Sequence, residues 1–456
     1  MGSIISARQL LTPMGWRADQ AVHVDDAGVI TEVSPRGFDA SQAVGTLLPG
    51  LANVHTHSFQ RAMAGLAEAR GPAGADDFWT WRQVMYRFLE VLTPEHIGSV
   101  AALVQLEMAE AGYSASAEFH YLHHHVGGGH YDDMAETSRA IFAASEASGI
   151  GLTHLPVLYS YGGLDGRALQ GGQLRFGCSV AEFERLHASI ADGARDLPGD
   201  FRLGVAPHSL RAVDRAGLDA CLALCPEGPL HIHAAEQVKE VEEVEAHLHA
   251  RPVRWLLDNL PVDERWCLIH ATHLDAGEVA DLAASHAVAG LCPTTEANLG
   301  DGIFAARDYL AAGGRYGVGS DSNIRLSVAE ELRMLEVSQR LAHRQRAVLS
   351  DDATRSTGRY LYERAASGGA QAIGRNAGAI EAGRLADLVA LRDDLPFLDW
   401  PQPDQRLDAW IFGVEARAVS EVWSAGRHIV RGGEHVRAGE IRARFAATMR
   451  ALGAAL

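Results

Sequence analysis

At 456 residues the chain exceeds what one small core can organise, so its length points to two or three domains or to one large α/β barrel with an appended domain. Lys and Arg number 40 against 58 Asp and Glu, and the net charge of −18 counts against nucleic-acid binding and, on its face, against small anionic substrates. With 47% hydrophobic and 21% charged residues, the composition is globular and excludes a disordered or fibrous chain.

The opening residues lack the basic, apolar and small-residue order of a secretory signal, and no apolar run reaches the ~18 residues of a membrane span. Five Cys are thinly spread, with only Cys221 and Cys225 close together, which suits reduced thiols in a cytoplasmic protein. In chain order, residues 20–24 and 28–33 are β-rich runs about an Asp-Asp-Ala-Gly turn. An apolar strand from Leu47 then ends in His55-Thr56-His57. Residues 95–111 form an amphipathic helix, with Ile97, Val100, Ala101, Val104 and Met108 on one face.

A strand over 112–120 follows, and further strands are expected at 149–159, 201–207, 229–234, 266–270, 287–293 and 315–320. With the run at 51, these make eight strands alternating with helices, the pattern of a (β/α)8 TIM-like barrel over residues 49–374. After residue 375 come short strands at 378–380, 386–391, 418–423 and 427–430. Residues 1–48 and 375–456 are therefore expected to form one small β-sandwich domain.

Catalytic groups in such a barrel sit at the C-terminal strand ends. His55 and His57, two apart on the first strand, point to one face, so both can reach a metal at about 2.0–2.1 Å. Strand five ends in His233 with Glu236 beyond it, strand six ends in His270, and strand eight runs into Asp321. Any one of these alone is as easily a satisfied structural side chain. Their joint occurrence describes a mononuclear zinc or iron site with room for water.

These residues resemble the amidohydrolase superfamily, whose hallmark segment stands here as Pro49-Gly50-Leu51-Ala52-Asn53-Val54-His55-Thr56-His57. No Lys follows strand four, where binuclear members place a bridging carbamate. Pro207-His208-Ser209 and His233-x-x-Glu236 are instead similar to the mononuclear deaminase branch. The resemblance implies that His55, His57, His233 and Asp321 hold one divalent metal, Zn2+ or else Fe2+. It also implies that His270 and Asp321 act on the hydrolytic water and Glu236 moves protons.

A closer resemblance spans nearly the whole chain and rests on segments such as Ala206-Pro207-His208-Ser209-Leu210-Arg211 and Thr295-Glu296-Ala297-Asn298-Leu299-Gly300-Asp301-Gly302. It is to deaminases of that branch that hydrolyse the formimino group of a dicarboxylate amino acid in histidine degradation. It implies that Arg82 and Arg211 bind the two carboxylates through their planar forks, that Gln60, Tyr121 and His208 are further contacts, and that the protein is a homodimer. One departure is Asn323 after the strand-eight Asp, where Gln is expected. His123-His124-His125 cannot all face one ion and is expected to be a loop over the active face. The rival readings are deamination of a heterocycle such as guanine or cytosine, which would want stacking aromatics rather than two Arg, and a silent scaffold, which predicts eroded ligand positions.

Overall fold

The structure is a computed structural model that describes residues 2–37, 41–66, 68, 78–399, 402–414 and 417–455. Its centre is a parallel barrel of the strands Leu51–Thr56, Tyr113–His120, Gly151–Leu158, Arg202–Leu203 continued at Ala206–Pro207, Leu230–Ala234, Trp266–His270, Val288–Leu291 and Arg315–Val318. Most of these strands are buried at every position, as expected where helices cover one face of a parallel sheet and packed side chains the other. The ladder runs from strand five through eight to one and on to four, and the ring closes where Val205 bridges Leu230.

The helices between strands begin where the sequence supplies caps. Thr93, Ser179, Asp214, Asp275, Ser327 and Ser356 each accept a first-turn backbone N–H of the helix that follows. No helix among the described residues is long and apolar enough to cross a membrane.

The chain ends supply a second sheet. Its order runs from Glu434–His435 through Arg427–Arg431, Val419–Ser424 and Leu388–Leu391 to Gln42–Pro49, Ser3–Thr12, Gly15–Val24 and Ile30–Pro35. Ile5, Leu10, Val22, Leu47, Leu388 and Trp423 form its own small core. Residues 378–380 are not a strand: Gly378 takes a φ of +81° and turns the chain, while Ile380 drops into that core. Two helices escape the sequence pattern, Pro403–Phe412 and Ala438–Ala455. The second lies along Pro94–Glu110, where Arg442 pairs with the buried Glu110 at 2.7 Å, a long-range contact that local periodicity does not announce.

The terminal sheet is fastened to the barrel by a buried ion network. Arg375, 5% exposed, donates to both oxygens of Asp387 at 2.7 and 2.9 Å and pairs with Asp200 at 2.9 Å. Asp387 also accepts from Ser114 on barrel strand two and from the backbone of Ala425 on the sheet side. Burial raises the Asp200 carboxyl, but Arg427 and Arg375 outweigh it and hold the group at about 2. A depressed carboxyl contributes stability above its unfolded value, and that contribution is lost only as pH falls from about 4 towards 2. Asp387→Ala leaves a buried guanidinium without its bidentate partner and should cost about 3–5 kcal/mol. The check is the urea midpoint, and an unmoved midpoint would show that the network carries no stability.

Candidate active site

Every barrel strand delivers a polar or aromatic side chain to the C-terminal face. One group is His55, His57 and His233, all buried. His55 Nε2 lies 3.2 Å from His57 Nε2 and 3.1 Å from His233 Nε2, and Asp321 Oδ1 lies 3.4 and 3.3 Å from His55 and His57. His57 Nδ1 is 3.0 Å from the Phe119 carbonyl and His233 Nδ1 is 3.0 Å from the His208 carbonyl. A carbonyl only accepts, so both rings carry their proton on Nδ1 and turn a bare Nε2 lone pair inward. Burial, and for His55 and His233 the neighbouring rings, push all three imidazoles below their ordinary pKa, so they stand neutral.

Four acceptor atoms therefore face one another, and only His55 has a hydrogen it could offer. Two ligands of one tetrahedral ion at 2.0–2.1 Å lie about 3.3 Å apart. The observed 3.1–3.4 Å spacings fit such an ion, and the donor set of imidazoles and one carboxylate is the type a borderline divalent cation takes.

A proton-handling group lies beside them. His270 Nε2 is 3.7 Å from Glu236 Oε1 and 3.9 Å from Asp321 Oδ2, while its Nδ1 meets Glu296 Oε1 at 3.2 Å. Burial opposes a charge on this imidazole, but the three carboxylates outweigh it and raise its pKa. Burial pushes the Glu236 carboxyl up to about 7, against the pull of His270 and Arg211. Glu236 is itself steadied from below, since Glu240 accepts the backbone N–H of Ala235 and of Glu236 at 3.3 and 3.1 Å. Ala235, His270 and Asp321 all have φ between 45° and 68°, a left-handed backbone that non-glycine residues hold only where their surroundings fix it.

Above this floor the cavity is walled by Gln60, Arg82, Tyr121, Tyr159, His208 and Arg211. Gln60 donates to the Tyr121 hydroxyl at 3.0 Å, and its buried Oε1 has no partner among the described residues. Arg82 donates to the Tyr159 hydroxyl at 2.8 Å and lies over the Tyr86 ring. Burial, helped by Arg211 and Arg82, keeps His208 neutral.

All the site residues expected from the sequence thus meet in one place. Asn323, the departure, is buried with φ +57°, which Asn tolerates better than most residues. Its amide donates to Thr56 and to the His57 carbonyl, tying the strand-eight loop to the first strand. The His123-His124-His125 run follows strand two, and its first two rings bind the Val157 and Gly177 carbonyls, with no part in the cavity. The sequence pattern gives no role to Tyr159, Glu240, Glu296 or Cys292. Tyr159 immediately follows strand three, so its position past a strand end was the available signal. The Cys292 thiol is near His270 and Asp321, but burial and the surrounding carboxylates push it well up, leaving it protonated.

A barrel whose strand ends converge imidazoles and a carboxylate beside protonatable groups defines a metal-dependent hydrolase. Residues 46–429 match the amidohydrolase family, and the chain belongs to it. It is 48% identical to the formimidoylglutamate deiminase of Pseudomonas aeruginosa, over 96% of this chain and 97% of the relative. A crystal structure of an amidohydrolase from Brucella melitensis matches with a TM-score of 0.94 at 44% identity, over 99% of both chains. An adenosine deaminase from Xanthomonas campestris with bound zinc shares the fold, with a TM-score of 0.81 at 22% identity over 99% of this chain and 98% of that one.

Purified protein stripped by chelator should take up one divalent ion per chain, and His233→Ala should abolish that uptake while circular dichroism is unchanged. Elemental analysis after dialysis is the measurement; full uptake by His233→Ala would remove that residue from the site.

Proposed function

We propose that this protein hydrolyses N-formimino-L-glutamate to N-formyl-L-glutamate and ammonia, as a step in histidine degradation. The activity is the one for which its Pseudomonas aeruginosa relative is named. The observation that carries the substrate assignment is the presence of Arg82 and Arg211 in the same cavity as the hydrolytic centre. Both lie close enough to His208 to depress its pKa. The net charge of −18 is thus no obstacle to an anionic substrate, because binding is decided by the charges that line the pocket. Five free, buried cysteines suit a reducing compartment such as the cytoplasm.

His55, His57, His233 and Asp321 are assigned to one divalent ion, zinc in first place and iron(II) in second. Zinc is the ion bound in the Xanthomonas campestris structure. The chemistry such an ion supplies is activation of water as a nucleophile at neutral pH. The protein's own residues do the rest. Asp321 Oδ2 and His270 Nε2, 3.9 Å apart, bracket the attacking water, and Asp321 Oδ2 accepts its proton. The oxygen adds to the formimino carbon. Glu236, beside His270, delivers one proton to the terminal nitrogen, the proton taken up by Asp321 supplies the second, the hydroxyl proton of the adduct returns to Glu236, and the C–N bond breaks to release ammonia and leave the formyl group. Gln60 Oε1 offers a substrate N–H the acceptor it otherwise lacks.

Arg211 is close enough to Glu236 to lower the pKa of that carboxyl, whereas Arg82 is bonded to Tyr159, whose ring lies against His208. The α-carboxylate, three bonds from the attacked formimino carbon and so the nearer of the two, is therefore assigned to Arg211, and the side-chain carboxylate to Arg82. The pocket does contain aromatic rings, but Tyr121 meets Phe176 and Tyr159 meets His208 edge-on, which does not make a parallel slot for a flat base.

Ammonia release from formiminoglutamate should exceed that from guanine by at least about 10³-fold in kcat/KM. Faster release from guanine would overturn the assignment. Glu236→Gln should keep its metal and lose about 10²–10⁴-fold in kcat. Arg211→Met should lose about a hundredfold in kcat/KM on formiminoglutamate; a change below threefold would reverse the proposed orientation.

A further inference from the structure

We infer that Arg175 is a positioning residue for the proposed reaction: it caps the helix that carries Arg82 and so sets that helix against the cavity. The inference rests on the assignment of a substrate carboxylate to Arg82, and goes beyond it in naming what holds Arg82 in place.

Arg175 is 1% exposed and ends the short 3-10 turn Gly171–Arg175. A guanidinium taken fully out of water is ordinarily paired with a carboxylate. Among the described residues Arg175 has none, and each of its partners is neutral. Its Nη1 donates to the carbonyls of Leu89 and Leu92, the latter at 3.0 Å. Its Nε donates to the His124 carbonyl at 2.9 Å, and its Nη2 lies 3.5 Å from the Tyr131 hydroxyl. Burial lowers its pKa, and a phenol rather than a carboxylate works against that. An arginine nonetheless keeps its proton, so a full positive charge faces these carbonyls.

Leu89 is the last residue of the helix Phe78–Leu89, and the final carbonyls of a helix have no partner within it. They form the negative end of the helix dipole, where a cation is favoured. Arg82 and Met85 stand on this helix and line the cavity. Arg82 lies seven residues before Leu89, about two turns back along the same rod. A helix shifts as a body, so the group that fixes its end fixes the reach of Arg82 to the Tyr159 hydroxyl, 2.8 Å away.

The same residue is bonded to the rest of the wall. Its carbonyl accepts the backbone N–H of His123 and of His124 at 2.9 and 3.1 Å, so the loop after Tyr121 is held in both directions. Phe176, the next residue, meets the Tyr121 ring edge-on with centroids 4.7 Å apart, and both line the cavity. Gly172 lets the turn come close to the helix, since a Cβ there would lie 2.8 Å from the Tyr86 ring. Arg175 thus joins the end of the helix, the loop beyond Tyr121 and the segment that carries Phe176.

The test is a double-mutant cycle of Arg175→Met with Arg82→Met, read as KM and kcat on N-formimino-L-glutamate. Methionine fills the volume of the side chain but offers no donor. Arg175→Met is expected to raise KM about tenfold and to change kcat by less than about threefold. In the Arg82→Met background the same substitution should add less than about threefold, because the group it acts through is already gone. Arg175→Lys keeps the cation at the helix end but donates from a single atom. It should recover part of the loss, and it carries the same cycle where the methionine variant does not fold. Equal losses in both backgrounds describe a general structural role and overturn the inference, as does a wild-type KM in the Arg175 variants; either result leaves the proposed reaction intact. A wild-type KM in Arg82→Met, or failure of the wild-type enzyme to release ammonia from formiminoglutamate, overturns instead the substrate reading on which the inference rests.

Discussion

Four lone-pair atoms, with neighbouring ones 3.1 to 3.4 Å apart and at most one hydrogen among them, do not stay together unaided. Everything else in the site follows from how the barrel holds them. The decisive join is between the first and eighth strands. Asn53 accepts the backbone N–H of His55 and of Ser320 and donates to the Ser320 hydroxyl, while Asn323 reaches back to Thr56 and His57. Gly319 completes the approach, because a Cβ there would lie 2.9 Å from the backbone of His55. The polar residues between and around the two histidines are thus the fasteners that bring Asp321 to the imidazoles.

Buried glutamate side chains stiffen the remaining strand ends. Glu118 accepts from the backbone and hydroxyl of Ser58, just past His57, and burial pushes it up to about 8. Glu240 and Glu296 grip Glu236 and His270 in the same way. Each places a hydrogen-bond acceptor under a functional residue, and the cost of burying it is met by the backbone and side-chain groups it engages.

The barrel was legible because each strand is a short apolar run ending in a polar residue, and the centre because two imidazoles spaced two apart leave a local mark at His55 and His57. Asp321, His233 and His270 could be named because their place past a strand end is itself a pattern. The pieces that could not be seen are those defined by distant partners. Glu240 looks like any helix-face carboxylate until Ala235 and Glu236 are found to turn their N–H groups onto it. Arg375, Asp387 and Asp200 are charged residues like many others on this chain until folding buries them together. Tyr159 reads as a strand-end aromatic, and only its contact with Arg82, 77 positions away, gives it chemical meaning.

The join between the first and last barrel strands also orders events in time. The histidines at 55 and 57 leave the ribosome early, but the carboxylate that completes their group is residue 321, and the asparagine that clamps it is residue 323. A nascent chain shorter than this holds three imidazoles at most and has no ring to hold them in. The complete group therefore arises only at barrel closure, so an ion taken up there would be captured late in biosynthesis and would mark a ring closed in its proper order.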